Sequence, residues 1–299
     1  MNEHSHPHHH GEPAQGSAIA AAILLNGGFI VAEIMYGLQA HSLSLLADAG
    51  HNASDVMGLA MAWGAIILAK RKPSSRFTYG LQSASIFAAL ANALLLMVAV
   101  GGIGLEAVQR FGSPETPASM TVIAVALAGM FINGGSAMLL HTHQHDLNMR
   151  GAFVHMAADA AVSLGVAASG LVIMGTGWLW LDPLVSLAIS LFIVVTTWRL
   201  LRQSVHLALH AVPSHIETDE VRAWLLALDG VQGVHDLHIW AMSTTGVALS
   251  AHMLMPGGHP GDAFIETVAH GLEHRFAIGH ATLQIETGHS GHCHTGCAS

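Results

Sequence analysis

A histidine followed four residues later by an aspartate occurs twice inside long apolar runs: His51 with Asp55 in DAGHNASDVMG, and His155 with Asp159 in VHMAADAAVS. In a helix that spacing puts both side chains on one face, one turn apart. Ionisable groups at membrane depth cost roughly 2.5–3.5 kcal/mol each on insertion scales, so they are usually paired, solvated in a cavity or functional. One such pair alone could be a histidine hydrogen-bonded to its own aspartate or to a neighbouring helix; repetition on two helices argues against that. Two pairs facing each other would assemble two imidazole nitrogens and two carboxylate oxygens, a set that suits tetrahedral zinc. Four protein ligands leave no open position for a catalytic water, which points to holding and moving an ion rather than to hydrolysis.

Membrane helices must position these residues. Of 299 residues, 52% are apolar and 10% charged, too apolar a balance for an ordinary soluble domain. Runs of about 20 apolar residues predict six spans, at about Ser17–Leu38, Leu43–Ala69, Ser83–Val108, Met120–Leu140, Ala152–Gly175 and Trp178–Leu201. The N-terminus is a histidine tract and has no pattern of a cleavable signal peptide. Lys70, Arg71, Lys72 and Arg76 join the second and third spans, Arg150 lies between the fourth and fifth, and Arg199 and Arg202 end the sixth; only Arg110 falls on the other side. The positive-inside rule then places both termini in the cytoplasm. The formal charge of −9 counts 24 histidines as neutral and so varies strongly near neutral pH.

From about Ser204 the composition becomes mixed polar and apolar. Periodicity predicts helix Glu217–Leu228, a hairpin of Val234–Met242 and Gly246–Met255 turning at Thr244–Gly246, helix Asp262–Phe276 and strand Ala281–Thr287. The expected fold is therefore an α-helical membrane protein of six transmembrane helices with a C-terminal α+β ferredoxin-like cytoplasmic domain. The domains are a histidine-rich tail (1–16), the membrane domain (17–203), the cytoplasmic domain (204–288) and a His/Cys tail (289–299).

Other groups could also take part in metal chemistry. His235 and His238 on the first strand, His252 on the second and Glu286 on the last are candidate ligands; alternation puts His238 on the face opposite His235. His280 is an alternative ligand. Cys293 and Cys297, with His292 and His294, are soft donors suited to zinc or copper(I). The N-terminal HSHPHHH and the tract His141, His143 and His145 suit weak metal capture. Within the spans, Asp48 lies three residues before His51 and could orient it or gate access. Glu33, Asn26, Asn92 and Asp182 read as interhelical hydrogen-bonding groups, Asp182 also as an N-cap before Pro183.

The motifs SLSLLADAGHNASDVMGLA, GAFVHMAADAAVSLG, WLDPLVSLAISLFI, VHDLHIWAMS and HATLQIE resemble those of the cation diffusion facilitator family, zinc-transporting branch, over about Ala18–Glu286. The resemblance implies a homodimeric six-helix exporter with a ferredoxin-like cytoplasmic domain, exchanging divalent metal for protons by alternating access. It places the transport site at His51, Asp55, His155 and Asp159, and two histidines there are typical of zinc-preferring members. It places a regulatory metal at His235, His252 and Glu286. Some relatives complete a cytoplasmic site with two tail cysteines separated by two residues, whereas three separate Cys293 from Cys297. Some also bind metal between the second and third helices, where KRKPSSRFTYG offers only basic and hydroxyl groups, so no metal is expected there. An ionic lock between the third helix and the cytoplasmic domain is in doubt, because LQSAS and His210 stand where charged residues are usual.

The expected function is proton-coupled zinc export across the inner (cytoplasmic) membrane. Imidazole binds metal only when neutral, so metal and protons compete for the same ligands. Cobalt, cadmium and nickel are expected as minor substrates. Protons, membrane lipid and a second copy of the chain are the expected partners, with no nucleic acid. The chain is expected to be a secondary active transporter and not an enzyme; an intramembrane metalloprotease would carry HExxH, which is absent. The rival reading is a membrane metal sensor that signals through its cytoplasmic domain without flux.

Overall fold

The computed structural model describes residues 27–288 apart from 70, 114 and 142–146. Six long helical segments come first: α1 (27–39 as described), α2 (Leu43–Ala69), α3 (Ala84–Arg110), α4 (Ser119–His141), α5 (Leu147–Thr176) and α6 (Leu181–Ala208). Among the described residues, four stretches are long and apolar enough to cross a membrane: Ala84–Arg110, Ser119–Met138, Phe153–Thr176 and Leu181–Ala208. The helix α2 is 27 residues long and holds Asp48, His51 and Asp55. Two helices run past their expected ends, α5 starting at Leu147 and α6 continuing to Ala208. The chain divides into two compact units, Met1–Leu59 with Leu94–Trp198 and Ala60–Ala93 with Arg199–Ser299.

In the first unit, Leu45 of α2, Val100 of α3, Val122 and Ala126 of α4, Val166 of α5 and Ile193 of α6 form one buried cluster. Glycines let α4 and α5 approach closely: a Cβ on Gly170 would lie 2.9 Å from Ile123 Cγ1, and one on Gly129 only 3.2 Å from Ser163 Oγ. The two pairs run in opposite order along the helices, so α4 and α5 are antiparallel. The start of α2 is held by Asp182, in the first turn of α6. Its Oδ1 accepts from Ser42 Oγ (2.7 Å), Ser44 Oγ (2.6 Å) and Ser44 N (3.3 Å), and its Oδ2 accepts from Leu43 N (2.8 Å). Ser42 Oγ also accepts from Leu45 N at 3.3 Å, the geometry of an N-cap. Asp182 thus satisfies the free N–H groups of α2, another helix than its own.

The second unit contains the C-terminal elements α7 (Thr218–Leu226), β1 (Gly233–Ala241), β2 (Val247–Leu254), α8 (Asp262–Phe276) and β3 (His280–Glu286). The sheet order is β1-β2-β3, with β1 and β2 antiparallel and β2 and β3 parallel. A complete ferredoxin-like βαββαβ unit has a further strand before its first helix. None is present among the described residues of this domain, so β3 pairs directly with β2, and α8 makes the crossover that a parallel pair requires. Val221, Leu225, Val268 and Leu272 from the helices meet Val234, Ile239, Leu249 and Met253 from the sheet.

Gly271 of α8 lies against Trp224, whose ring packs edge-on to Phe276. A Cβ there would be 2.5 Å from Trp224 Cζ2 and 2.6 Å from Cη2. Gly271→Ala is expected to destabilise this domain by about 1 kcal/mol, since overpacking of about 2 kcal/mol, the middle of the usual range, exceeds the helix-propensity gain of about 1 kcal/mol. Calorimetry of the full-length protein would detect it as a lower unfolding temperature of the C-terminal domain; an unchanged transition would mean that Trp224 moves aside freely.

Candidate metal centres

Successive turns of α2 carry His51 and Asp55, and successive turns of α5 carry His155 and Asp159. The shortest contacts run between the helices. His51 Nε2 lies 3.1 Å from Asp159 Oδ1, and His155 Nε2 lies 3.1 Å from Asp55 Oδ2. The contacts within each helix are longer, 3.8 Å for His51 to Asp55 and 3.6 Å for His155 to Asp159. One donor atom from each residue lies within 4.8 Å of the other three. A tetrahedron with metal–ligand bonds of about 2.0–2.2 Å has edges of about 3.3–3.6 Å, and the four N–O contacts, at 3.1–3.8 Å, lie within a few tenths of an ångström of that range. The site is uneven in burial: the side chain of Asp159 is 3% exposed and that of His155 43%.

Behind His51, Asp48 Oδ2 accepts from Ser163 Oγ at 2.7 Å, and Glu33 Oε2 accepts from Asn52 Nδ2 at 3.2 Å. Asp48 makes no hydrogen bond to His51, whose Nδ1 is buried without a hydrogen-bond partner among the described residues. Glu33 and Asp48 are fully buried. Asn92 is buried as well.

The second group lies on the C-terminal sheet. His235 and His252 are directly opposite each other on β1 and β2, and Glu286 ends β3. Glu286 Oε2 is 3.0 Å from His235 Nε2, and Oε1 is 3.0 Å from His252 Nδ1. Three donors leave room for a fourth ligand. Burial pushes the Glu286 carboxyl up, but hydrogen bonds from Gln284 and His235 and the charges of His235 and His252 outweigh it and hold it below the ordinary glutamate value. Glu286→Gln is expected to weaken zinc binding at this cluster at least about tenfold, because the single buried anion is lost. Isothermal titration of the full-length protein would read the change; unaltered affinity would remove Glu286 from the ligand set.

His238 departs from its expected place. Between His235 and His238 the register shifts, so that three steps along β1 oppose two along β2, from His252 to Ser250. This β-bulge contains Asp236, whose φ of 50° is left-handed. His238 consequently shares a face with His235, against the simple alternation. Its Nε2 lies 3.0 Å from Asp236 Oδ1, while Asp236 Oδ2 lies 3.4 Å from His252 Nε2. Asp236, which no motif singled out, connects the two histidines. The sequence held one signal of the bulge: Val234 and Ile239, both apolar and both in the core, stand an odd number of positions apart, where simple alternation would put them on opposite faces.

The remaining candidates lie elsewhere. His280 packs edge-on to Tyr79, with ring centroids 5.4 Å apart, away from the cluster. The start of α3 reaches the β1–β2 turn through uncharged groups, Ser83 Oγ donating to Met242 O (3.1 Å) and Thr244 N donating to Ser85 Oγ (3.1 Å). Asn26, the N-terminal histidines, the side chains of His141, His143 and His145, and Cys293 and Cys297 lie outside the described residues.

Residues 19–207 match the cation efflux transmembrane domain and residues 213–288 match the cytoplasmic domain of cation efflux proteins. The chain belongs to the cation efflux family. It is 33% identical to the zinc transporter ZitB of Pectobacterium atrosepticum, over 94% of this chain and 89% of that one. It is 35% identical to the metal cation efflux system protein CzcD of Cupriavidus metallidurans, over 95% and 89% of the two chains. It is also similar to the cadmium, cobalt and zinc/H(+)-K(+) antiporter of Bacillus subtilis, at 29% identity over 94% of this chain and 92% of the relative. A cation efflux protein is a multi-pass membrane transporter rather than an enzyme, in keeping with the four long apolar helices.

Proposed function

We propose that this cation efflux protein is a Zn2+/H+ antiporter that removes zinc from the cytoplasm by alternating access. The observation that carries the reading is the crossed set of His51, Asp55, His155 and Asp159, whose N–O separations of 3.1–3.8 Å suit a tetrahedral ion. Zinc binds when both imidazoles are neutral and both carboxylates ionised. On the outward-open side, protons compete for the same nitrogens and oxygens and release the ion, so the inward proton gradient drives metal out. Relatives named for zinc, cadmium and cobalt support a divalent metal cargo, with zinc preferred on the two-histidine donor set and cobalt, cadmium or nickel carried less well.

The proposed architecture is a homodimer in the inner membrane. It has six spans, counting α1 and α2 with the four apolar helices, and both termini in the cytoplasm. The C-terminal domain is a ferredoxin-like unit lacking one strand, in which His235, His252 and Glu286 hold regulatory zinc; Cys293 and Cys297 are proposed as auxiliary ligands. The sensor reading rests on that sheet cluster alone. Zinc uptake into inside-out proteoliposomes under an imposed proton gradient separates the two: uptake that follows the gradient supports antiport, and binding without flux in wild type makes the protein a sensor.

A further inference from the structure

We infer that the end of α6 and the β1–β2 turn form a binding site for the phosphate headgroup of an anionic membrane phospholipid. A cavity of about 400 Å³ lies there, lined by Arg199, Arg202 and His206 of α6, by His215 beyond its end, and by the hydroxyl-bearing turn Ser243–Thr245. Spacings of three and four residues put Arg199, Arg202 and His206 on one stripe of the helix. No aspartate or glutamate lines the cavity. Among the described residues, Arg199 and Arg202 make no ion pair or side-chain hydrogen bond. Two guanidinium groups, each a planar fork of donors, are well suited to phosphate oxygens.

The surroundings favour a lipid over a free anion. Arg199 and Arg202 lie in the final turns of a 28-residue apolar helix, where basic pockets commonly hold lipid headgroups. Leu207, Val212 and Pro213 form an apolar part of the cavity wall, and Val212 is 38% exposed; Leu209, between Leu207 and Val212 in the chain, is 74% exposed. The exposed Trp198 precedes Arg199, the amphipathic pairing found at the edge of a bilayer. A soluble phosphate has no use for this apolar rim, whereas an acyl chain leaving the headgroup can cover it.

Native mass spectrometry of the detergent-solubilised full-length protein tests the inference. Phosphatidylglycerol, phosphatidylcholine and inorganic phosphate serve as separate probes. Wild type is expected to retain phosphatidylglycerol but not phosphatidylcholine. R199Q/R202Q is expected to bind it about 25-fold more weakly, about fivefold per arginine, the factor given by about 1 kcal/mol for each basic residue near an anionic surface. Arg76→Gln, which removes an exposed arginine outside the cavity, should leave retention unchanged, and helical content by circular dichroism should show the double variant folded. Equal retention of both lipids, equal loss in Arg76→Gln, or an unaffected double variant would overturn the site. Inorganic phosphate that binds alone and is lost with the double variant would make it a soluble-anion site and overturn the lipid assignment.

Discussion

Replacing Asp159 by alanine is expected to reduce zinc flux in proteoliposomes to the protein-free leak and to weaken zinc binding at the membrane site by more than about 100-fold. Loss of an outer partner of a metal ligand alone costs about 10–100-fold in affinity, and Asp159 is proposed as a ligand itself. It is also the most buried of the four residues, and its two oxygens face the two histidines, Oδ1 toward His51 at 3.1 Å and Oδ2 toward His155 at 3.6 Å. Its removal takes away a negative charge in a medium where nothing mobile can replace it. Asp159→Asn keeps the shape but not the charge and should fail similarly. Asp55→Ala should also stop flux, with a smaller loss of affinity because Asp55 is 35% exposed and water can take its place. Asp159→Ala protein that is folded by circular dichroism yet carries zinc at the wild-type rate would overturn the assignment.

Asp182→Ala is expected to lower the stability of the membrane unit by at least about 3 kcal/mol without touching any proposed ligand. A hydrogen bond to a charged group contributes about 1.5–3 kcal/mol, and buried donors left without a partner cost about 1–3 kcal/mol each. Asp182 accepts from two serine hydroxyls and two backbone N–H groups, so even strongly non-additive losses reach that figure. Because these donors begin α2, the variant should also loosen the helix that carries His51 and Asp55. Thermal unfolding in detergent would report the first effect and zinc titration the second. Asp182→Asn, which keeps one carbonyl oxygen, should retain part of the stability. An unchanged unfolding temperature for Asp182→Ala would mean that water or a neighbouring group replaces the carboxylate.

Much of the fold was legible in sequence because membrane burial leaves a plain compositional record. The third to sixth expected spans begin and end within about seven residues of the observed helices, and the helix–strand–strand–helix–strand order of the C-terminal domain appears as read. The membrane candidate site was legible for a related reason: histidines and acids inside apolar runs are costly enough to stand out, whereas the sheet cluster was read from the family resemblance. Alternation failed for His238, since a bulge inserts a residue and reverses parity beyond it. The partner of Asp182 could not be read either, because a hydrogen bond across 138–140 residues leaves no local pattern.

By itself, the sequence determined which residues could hold a metal and on which helical faces they stand, since the four-residue spacing settles the rotation of each pair about its own helix. Only the tertiary structure decided that each histidine lies closer to the aspartate of the other helix, that Asp182 caps α2, that β3 pairs in parallel with β2, and that Arg199 and Arg202 line a cavity without acidic residues. The physical reason is range: backbone periodicity acts over a few residues, whereas these arrangements depend on how separate elements pack, and packing joins residues that the chain keeps far apart.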